Sequence, residues 1–171
     1  MSPEILVLDE PTAMLDPQGR ADIMHILDEL QQHGTTIILV THHRDEFVNA
    51  DRIIRLDNGR IVQSARGNTA SIPEMDESDT AQEDNPIAKS NIANGASKPT
   101  SAVPIIEIHN LIYQYPNSSK PVLDKLSITI NKGETVAITG HNGAGKTTLA
   151  RLLCALDQPQ SGNIKIGRAS C

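Results

Sequence analysis

The stretch Gly-His-Asn-Gly-Ala-Gly-Lys-Thr-Thr, residues 140–148, matches the phosphate-binding pattern G-x-x-x-x-G-K-[ST]. A short run rich in β-branched residues, 135–139, precedes it, and leucines follow at helical spacing, at positions 149, 152, 153 and 156. A strand, a glycine loop and a helix N-terminus in that order form an anion site, because backbone N–H groups and the helix dipole both point at the ligand. A glycine-rich turn without a ligand is the alternative reading.

Composition narrows the class of protein. The net charge is −6 over 171 residues and no long basic run occurs, which argues against a nucleic-acid partner. The aromatic fraction is 2% and the hydrophobic fraction 38%, which predicts an aliphatic core and a part of the chain that does not pack. Two cysteines without a disulfide pattern fit the reducing cytosol. No apolar run approaches the roughly 20 residues that span a bilayer, so we expect any membrane link to come through a partner protein.

Two apolar runs near the start of the chain predict strands that end at one edge of a parallel sheet. Residues 5–8 are Ile-Leu-Val-Leu, and they lead directly into Asp9 and Glu10. Residues 35–40 form the second run and lead into Thr41 and His42. We expect both strands to be buried on both faces, because parallel sheets are covered on both sides and carry ligands at their carboxyl edge.

Helix and turn signals complete the first part of the chain. Asp16 before Pro17 predicts a capped helix that closes at His33 and Gly34. A short helix is expected over residues 44–49, and residues 53–62 predict a hairpin around Asp-Asn-Gly. From about residue 64 to 103 the apolar periodicity disappears, which predicts a disordered linker.

Strand signals return after the linker. Runs at 104–109, 111–116, 122–130 and 163–167 predict strands, and the alternation of Leu126, Ile128 and Ile130 is typical of an antiparallel strand with one solvated face. The phosphate-binding pattern lies between the last two of these runs.

Each of the individual polar residues has a functional interpretation and a purely structural one. Asp9 and Glu10 suit Mg²⁺ binding and the polarisation of an attacking water, but Asp-Glu after a strand is equally often a solvated strand end or a cap. His42 could contact a γ-phosphate or be a surface histidine. Tyr115 could stack on an adenine base or simply pack. Lys146 would reach the β and γ oxygens of a triphosphate.

Taken together, these motifs resemble the ATP-binding-cassette ATPases. The resemblance rests on ILVLDEPTAMLD at 5–16, on Thr41-His42, on Tyr115-Pro116 and on GHNGAGKTTLARLL at 140–153. It implies Mg²⁺ coordination by Asp9 and Thr147, catalysis by Glu10 and His42, and a D-loop role for Asp16. It further implies adenine stacking by Tyr115 and nucleotide binding by Gly140, Asn142, Gly143, Gly145, Lys146, Thr147 and Thr148.

The resemblance also implies a fold, cofactors and partners. The expected fold is an α/β P-loop NTPase core with a mostly parallel sheet and a small antiparallel part. ATP and Mg²⁺ are the expected cofactors. The segments MLDPQGR and GHNGAGK look most like the ATPases of energy-coupling-factor importers. Expected partners are therefore membrane-embedded transporter subunits and a second ATPase domain, with the chain held at the inner face of the cell membrane.

The order of the motifs departs from a single cassette. Residues 1–63 resemble the C-terminal half of one cassette, and residues 104–171 resemble the N-terminal half of a second. No signature segment and no Q-loop segment occurs in the 171 residues, so the helical subdomain is expected to be missing. Two functions remain open: an ATP-binding fragment of an importer ATPase with weak turnover, or a catalytically inactive nucleotide-binding or truncated fragment.

Two arrangements of the halves are also open. In a tandem protein, the acids and His42 would complete the first cassette's site and Lys146 would belong to the second. Alternatively, the halves dock as one permuted core that brings Asp9, Glu10 and His42 opposite Lys146, since exposed apolar strand sets are an aggregation hazard. The permuted core requires one continuous sheet through residues 5–8, 37–40 and 136–138.

Overall fold

The computed structural model describes residues 3–43, 46, 49–66, 103–116, 118–167 and 169–170. The linker expected at 64–103 and the helix expected at 44–49 lie almost entirely outside the described residues. The hairpin that precedes the linker continues to Arg66, so the residues from Ser64 to Arg66 are strand.

Five strands form the first sheet, in the order β1-β2-β7-β3-β4. Their bounds are Ile5–Asp9 for β1, Thr36–Val40 for β2, Arg52–Asp57 for β3, Arg60–Arg66 for β4 and Thr135–Thr139 for β7. All neighbours are parallel except β3 and β4, which form the antiparallel hairpin predicted from the turn residues. One sheet therefore contains strands from both parts of the chain, as the permuted arrangement requires. The first part is the chain before the expected linker, and the second part is the chain after it.

Four strands form a second, antiparallel sheet in the order β6-β5-β8-β9. Their bounds are Pro104–Tyr113 for β5, Leu123–Asn131 for β6, Ser161–Ile166 for β8 and Ala169–Ser170 for β9. The two runs expected at 104–109 and 111–116 form the single strand β5, with an irregular register around Asn110, whose φ is 48°. The alternation in β6 is confirmed, because Leu126, Ile128 and Ile130 are all buried.

The described residues contain two α-helices, Pro17–Gln32 (α1) and Lys146–Leu153 (α2). The predicted start of α1 is confirmed: the Asp16 carboxylate accepts a hydrogen bond of 2.9 Å from the backbone N–H of Gly19, and Pro17 is the first helical residue. α2 begins inside the phosphate-binding pattern and packs against both β1 and β2.

One apolar core links the two parts of the chain. Ile38 and Val40 of β2 and Ile54 of β3 are packed in the same buried cluster as residues of β5, β6, β7 and α2. All five residues of β2 are buried, because β2 lies between β1 and β7. The predicted fold class, an α/β core with a mostly parallel sheet and an antiparallel part, is confirmed, although the antiparallel sheet is nearly as large as the parallel one.

The prediction that β1 is buried on both faces is wrong. Ile5, Leu6, Val7 and Leu8 are only half-buried, whereas the neighbouring β2 is fully buried. The reason is that β1 is an edge strand, so one of its sides has no paired strand among the described residues.

Polar contacts also cross between the parts of the chain. The backbone N–H of Thr135 donates to the Asp51 carboxylate at 2.8 Å, and that of Gly133 donates to the Thr36 hydroxyl at 2.9 Å. The Arg52 guanidinium donates to the carbonyl of Thr129 at 2.9 Å. Burial lowers the pKa of Arg52, and the nearby Glu134 opposes that effect. Each of the three hydrogen bonds satisfies a backbone group of the second part with a side chain of the first.

Candidate phosphate-binding site

Two glycines of the loop between β7 and α2 occupy positions that no other residue could take without strain. Gly140 has φ 147°, and a Cβ there would lie 2.3 Å from the carbonyl oxygen of Leu56. Gly145 precedes α2 with φ 100°, and a Cβ there would lie 2.8 Å from the Leu123 side chain. The loop is thus held closely between β3 and β6 while its backbone turns into the helix. Asn142 and Gly143 are exposed at the loop tip.

Lys146 lies across this loop. Its side chain is buried, and its ammonium donates to the carbonyls of Gly140 at 2.8 Å and His141 at 3.1 Å. The next residue, Thr147, is exposed in the first turn of α2, while Thr148 is buried. Positive electrostatic potential is concentrated at this loop, because it combines the helix N-terminus, backbone N–H groups and the Lys146 ammonium. Such a loop suits a chain of phosphates.

The acid-bearing edge of the sheet lies beside the loop. Asp9 is in register with Val40, and Val40 with Ile138, so the carboxyl ends of β1, β2 and β7 form one row. β1 and β7 are separated by one strand, which places their backbones about 10 Å apart. Asp9 is exposed at the end of β1. The structure therefore brings the first part's acids to the same edge from which the phosphate loop leaves β7.

Glu10 and His42 contact each other at this edge. His42 Nδ1 lies 3.1 Å from Glu10 Oε1, and both side chains remain partly exposed. Glu10 has φ 47°, and its backbone N–H donates to the Val40 carbonyl at 2.8 Å, so β2 positions the residue directly. A carboxylate and an imidazole in contact, both open to solvent, can orient a water or contact an anion.

Tyr115 contacts the first turn of α2, directly after the loop. Its hydroxyl lies 3.1 Å from the Thr148 hydroxyl, and its ring meets that of Tyr113 edge-on, with centroids 5.1 Å apart. Burial raises the pKa of the Tyr113 hydroxyl, and Asp157 acts in the same direction. Tyr115 is 39% exposed, so part of its ring is open for stacking.

The oxygen donors present fit a small hard cation. Asp9 and Thr147 offer a carboxylate and a hydroxyl, both exposed. Among the described residues no three His, Cys, Asp or Glu side chains form a metal-binding group. Mg²⁺ usually takes only one or two protein oxygens and completes its shell with phosphates and water, so these donors suit it.

Two groups of contacting residues were not expected from the sequence. In the first group, His141 Nε2 of the loop lies 2.8 Å from the Asp57 carboxylate at the end of β3. The sequence indicates only a turn at Asp57. In the second group, the buried Thr12 hydroxyl donates to the buried Glu46 carboxylate, and the Arg20 guanidinium lies 3.8 Å from the same carboxylate. Neither group has a local sequence pattern, because the residues that contact each other are between 26 and 84 positions apart.

Comparison with known proteins shows which proteins this chain is similar to. Residues 123–171 match the family model described as "ABC transporter". A protein of Bifidobacterium longum (strain NCC 2705), named "Putative ABC transporter ATP-binding protein", is 43% identical over an alignment that covers 97% of this chain and 24% of that protein. Proteins with the same description from Methanosarcina acetivorans and Methanosarcina mazei are 31% and 34% identical over 96% and 95% of this chain.

The chain is thus similar to ABC transporter ATP-binding proteins. It spans only about a quarter to a third of the length of these relatives, 24%, 34% and 31% respectively. Each alignment nevertheless runs through nearly the whole chain. None of the helices among the described residues is long and apolar enough to cross a bilayer.

Proposed function

We propose that this chain is an ABC-family protein that binds MgATP at a composite site made by both of its parts. The observation that carries the proposal is the continuous sheet β1-β2-β7, which puts the acids and His42 of the first part beside the phosphate loop of the second. In this site the loop N–H groups and Lys146 hold the phosphates, and Tyr115 supports the base.

The same geometry supports a hydrolytic role for the residues at the sheet edge. Glu10 would orient a water towards the γ-phosphate, while Lys146 and His42 would stabilise the charge that develops on its oxygens. Mg²⁺, held by Asp9 and Thr147, would neutralise charge on the phosphates when bound. We expect slow turnover, since the sequence contains no segment like the family's signature loop.

We further propose that the chain corresponds to the middle of a tandem importer ATPase of the energy-coupling-factor type. In support, the alignments cover both parts in the same order and only a fraction of each relative's length. In that longer protein residues 1–63 would belong to the first cassette and residues 104–171 to the second, and the two parts would not share one nucleotide site. The composite site is therefore proposed for this 171-residue chain and not for the longer protein. Membrane-embedded subunits and a second ATPase domain would then be its partners, at the inner face of the membrane.

Nucleotide binding to the purified chain tests the composite site. Isothermal titration with MgATP should give saturable binding that Lys146→Ala weakens by about tenfold to a hundredfold, the effect of losing a charge-assisted contact. Lys132→Ala is the matched control, because Lys132 is an exposed lysine paired with Glu4 at 3.4 Å. Equal affinities for the Lys146→Ala variant and the parent chain would overturn the proposal, provided that thermal melts show both to be folded.

Hydrolysis separates an active from an inactive site. Glu10→Gln should keep MgATP affinity and lower phosphate release by about tenfold or more, because the water loses its base. Glu29→Gln, a change in an exposed helical glutamate, should alter neither quantity. Phosphate release from the parent chain that does not exceed that of Glu10→Gln would favour the catalytically inactive alternative, which the missing signature segment supports.

A further inference from the structure

The imidazole of His141 lies between two hydrogen-bond acceptors. Its Nε2 is 2.8 Å from the Asp57 carboxylate, and its Nδ1 is 2.7 Å from the backbone carbonyl of Asn142. Neither a carboxylate nor a carbonyl donates a hydrogen bond, and a neutral imidazole carries only one N–H. Both contacts are hydrogen bonds only when the ring carries two protons and a positive charge.

The position of this ring connects the two parts of the chain at the loop. Asp57 ends β3 in the first part, whereas His141 is the second residue of the loop in the second part. One further bond joins the same regions, because the Gly59 N–H donates to the Ala144 carbonyl at 3.0 Å. The Gly59 carbonyl accepts from the Asp124 N–H of β6 at 3.1 Å. The loop is therefore held against the β3-β4 turn by a backbone bond and by the His141 side chain.

Charged groups on the surrounding elements also contribute to the field at this ring. From α2, the Lys146 ammonium donates to the His141 carbonyl at 3.1 Å. From β4 and β6, Arg60 and Asp124 pair with each other at 3.0 Å. The Glu10 and His42 pair lies at the carboxyl edge of β1 and β2. Asp57 is thus the acid that faces the His141 ring directly, and the ring's protonation decides whether that acid is neutralised beside the phosphate loop.

We propose that His141 is a positioning residue of the phosphate loop in its doubly protonated form, held by Asp57, and that triphosphate affinity therefore falls as this ring loses its proton. The proposal rests on the proposed nucleotide site. With the ring charged, the His141 and Asp57 pair is neutral and the Lys146 charge acts alone on the phosphates. With the ring neutral, the Asp57 carboxylate stays negative next to the loop and repels a triphosphate, and one of the two ring contacts is lost.

Ring spectroscopy tests the protonation state without any nucleotide. In ¹⁵N spectra of the whole chain near neutral pH, His141 should show a larger doubly protonated fraction than His33, whose Nδ1 also faces a backbone carbonyl at 2.7 Å. Asp57→Asn should reduce that fraction to the level of His33, because the amide carries no charge. Equal fractions for His141 and His33 in the parent chain would overturn the proposal.

Binding of MgATP tests the consequence. Affinity should be about threefold to tenfold weaker at about pH 8 than at about pH 6, as expected for the loss of one positive charge from the phosphate loop. Because the proposed site also contains His42, the decisive quantity is the part of the pH effect that His141→Gln removes. His141→Arg should bind with little pH effect beyond that of His141→Gln, and His33→Gln should behave as the parent.

The outcomes separate this inference from the proposed function. Binding that depends on Lys146, together with a pH effect unchanged in His141→Gln, would overturn only the role of His141. Absence of MgATP binding by the parent chain at both pH values would overturn both proposals. A pH effect lost in His141→Gln and kept in His33→Gln, with thermal melts showing both variants to be folded, is the expected result.

Discussion

β1 and β2 have similar sequences but very different positions in the molecule. Ile-Leu-Val-Leu in β1 is half-buried at the edge of the sheet, whereas Thr-Ile-Ile-Leu-Val in β2 is wholly buried between β1 and β7. β2 is where the first part of the chain meets the second, whereas β1 pairs with β2 alone among the strands that the structure describes. Contacts between the parts should therefore matter more to stability than similar contacts within one part.

The largest expected effect is the loss of a buried side chain from β2. Ile38 is 0% exposed and belongs to the shared core, so Ile38→Ala should lower the free energy of unfolding by about 2 to 5 kcal/mol. Leu6→Ala in the half-buried β1 should cost about half as much or less. Urea unfolding measures both variants, and equal losses would contradict the difference between the strands.

The next largest loss of stability is expected at a glycine where the two parts of the chain meet. Gly59 has φ 75°, and a Cβ there would lie 2.2 Å from the Val122 carbonyl oxygen, so Gly59→Ala combines backbone strain with a backbone clash. Gly34 has φ 91° with nothing within 4 Å of its Cβ position. We expect Gly34→Ala to cost about 1 to 2 kcal/mol and Gly59→Ala to cost more, by urea unfolding. Similar losses of unfolding free energy in the two variants would show that Gly59 does not pack tightly against Val122.

A smaller effect is expected at Asp51, whose carboxylate accepts the Thr135 N–H at 2.8 Å. Asp51→Ala should cost about 1 to 3 kcal/mol, because it leaves a partly buried backbone donor without its partner. Asp22→Ala, which removes an exposed helical carboxylate bonded to Gln18, should stay within about 0.5 kcal/mol of the parent. A comparable change in the two variants would argue against Asp51 as a contact between the parts.

The smallest effect is expected within the second part alone. The hydrogen bond from Arg151 lowers the pKa of Asp157, and the same bond raises the pKa of Arg151. A carboxyl with a lowered folded-state pKa stabilises the protein above its unfolded pKa, and that contribution is lost as the pH falls through the folded pKa. Asp157→Asn should therefore lower the melting temperature slightly at neutral pH and not in acid. An equal decrease at both pH values would point to packing instead.

Much of the fold was predictable because its signals are local. The cap at Asp16, the hairpin at residues 53–62 and the glycine loop at 140–148 each depend on residues a few positions apart. The solvated alternation of β6 has the same local origin. The burial of β1 was mispredicted, since an apolar run looks the same whether its strand lies in the middle of a sheet or at its edge.

By itself, the sequence determined the chemistry available to this protein. It contains a loop with the phosphate-binding pattern that includes Lys146, an acid pair after one strand and a histidine after the next. These follow from residue types at short spacings, where backbone geometry leaves few choices.

Only the tertiary structure decided how these groups combine. β2 pairs with β7, which places Asp9 and Glu10 beside a loop more than 120 positions away in the chain, and β3 places Asp57 against His141. The physical reason is burial: the apolar residues of β2 and β7 leave water by packing in one core with α2 and the antiparallel sheet. No local pattern encodes that pairing.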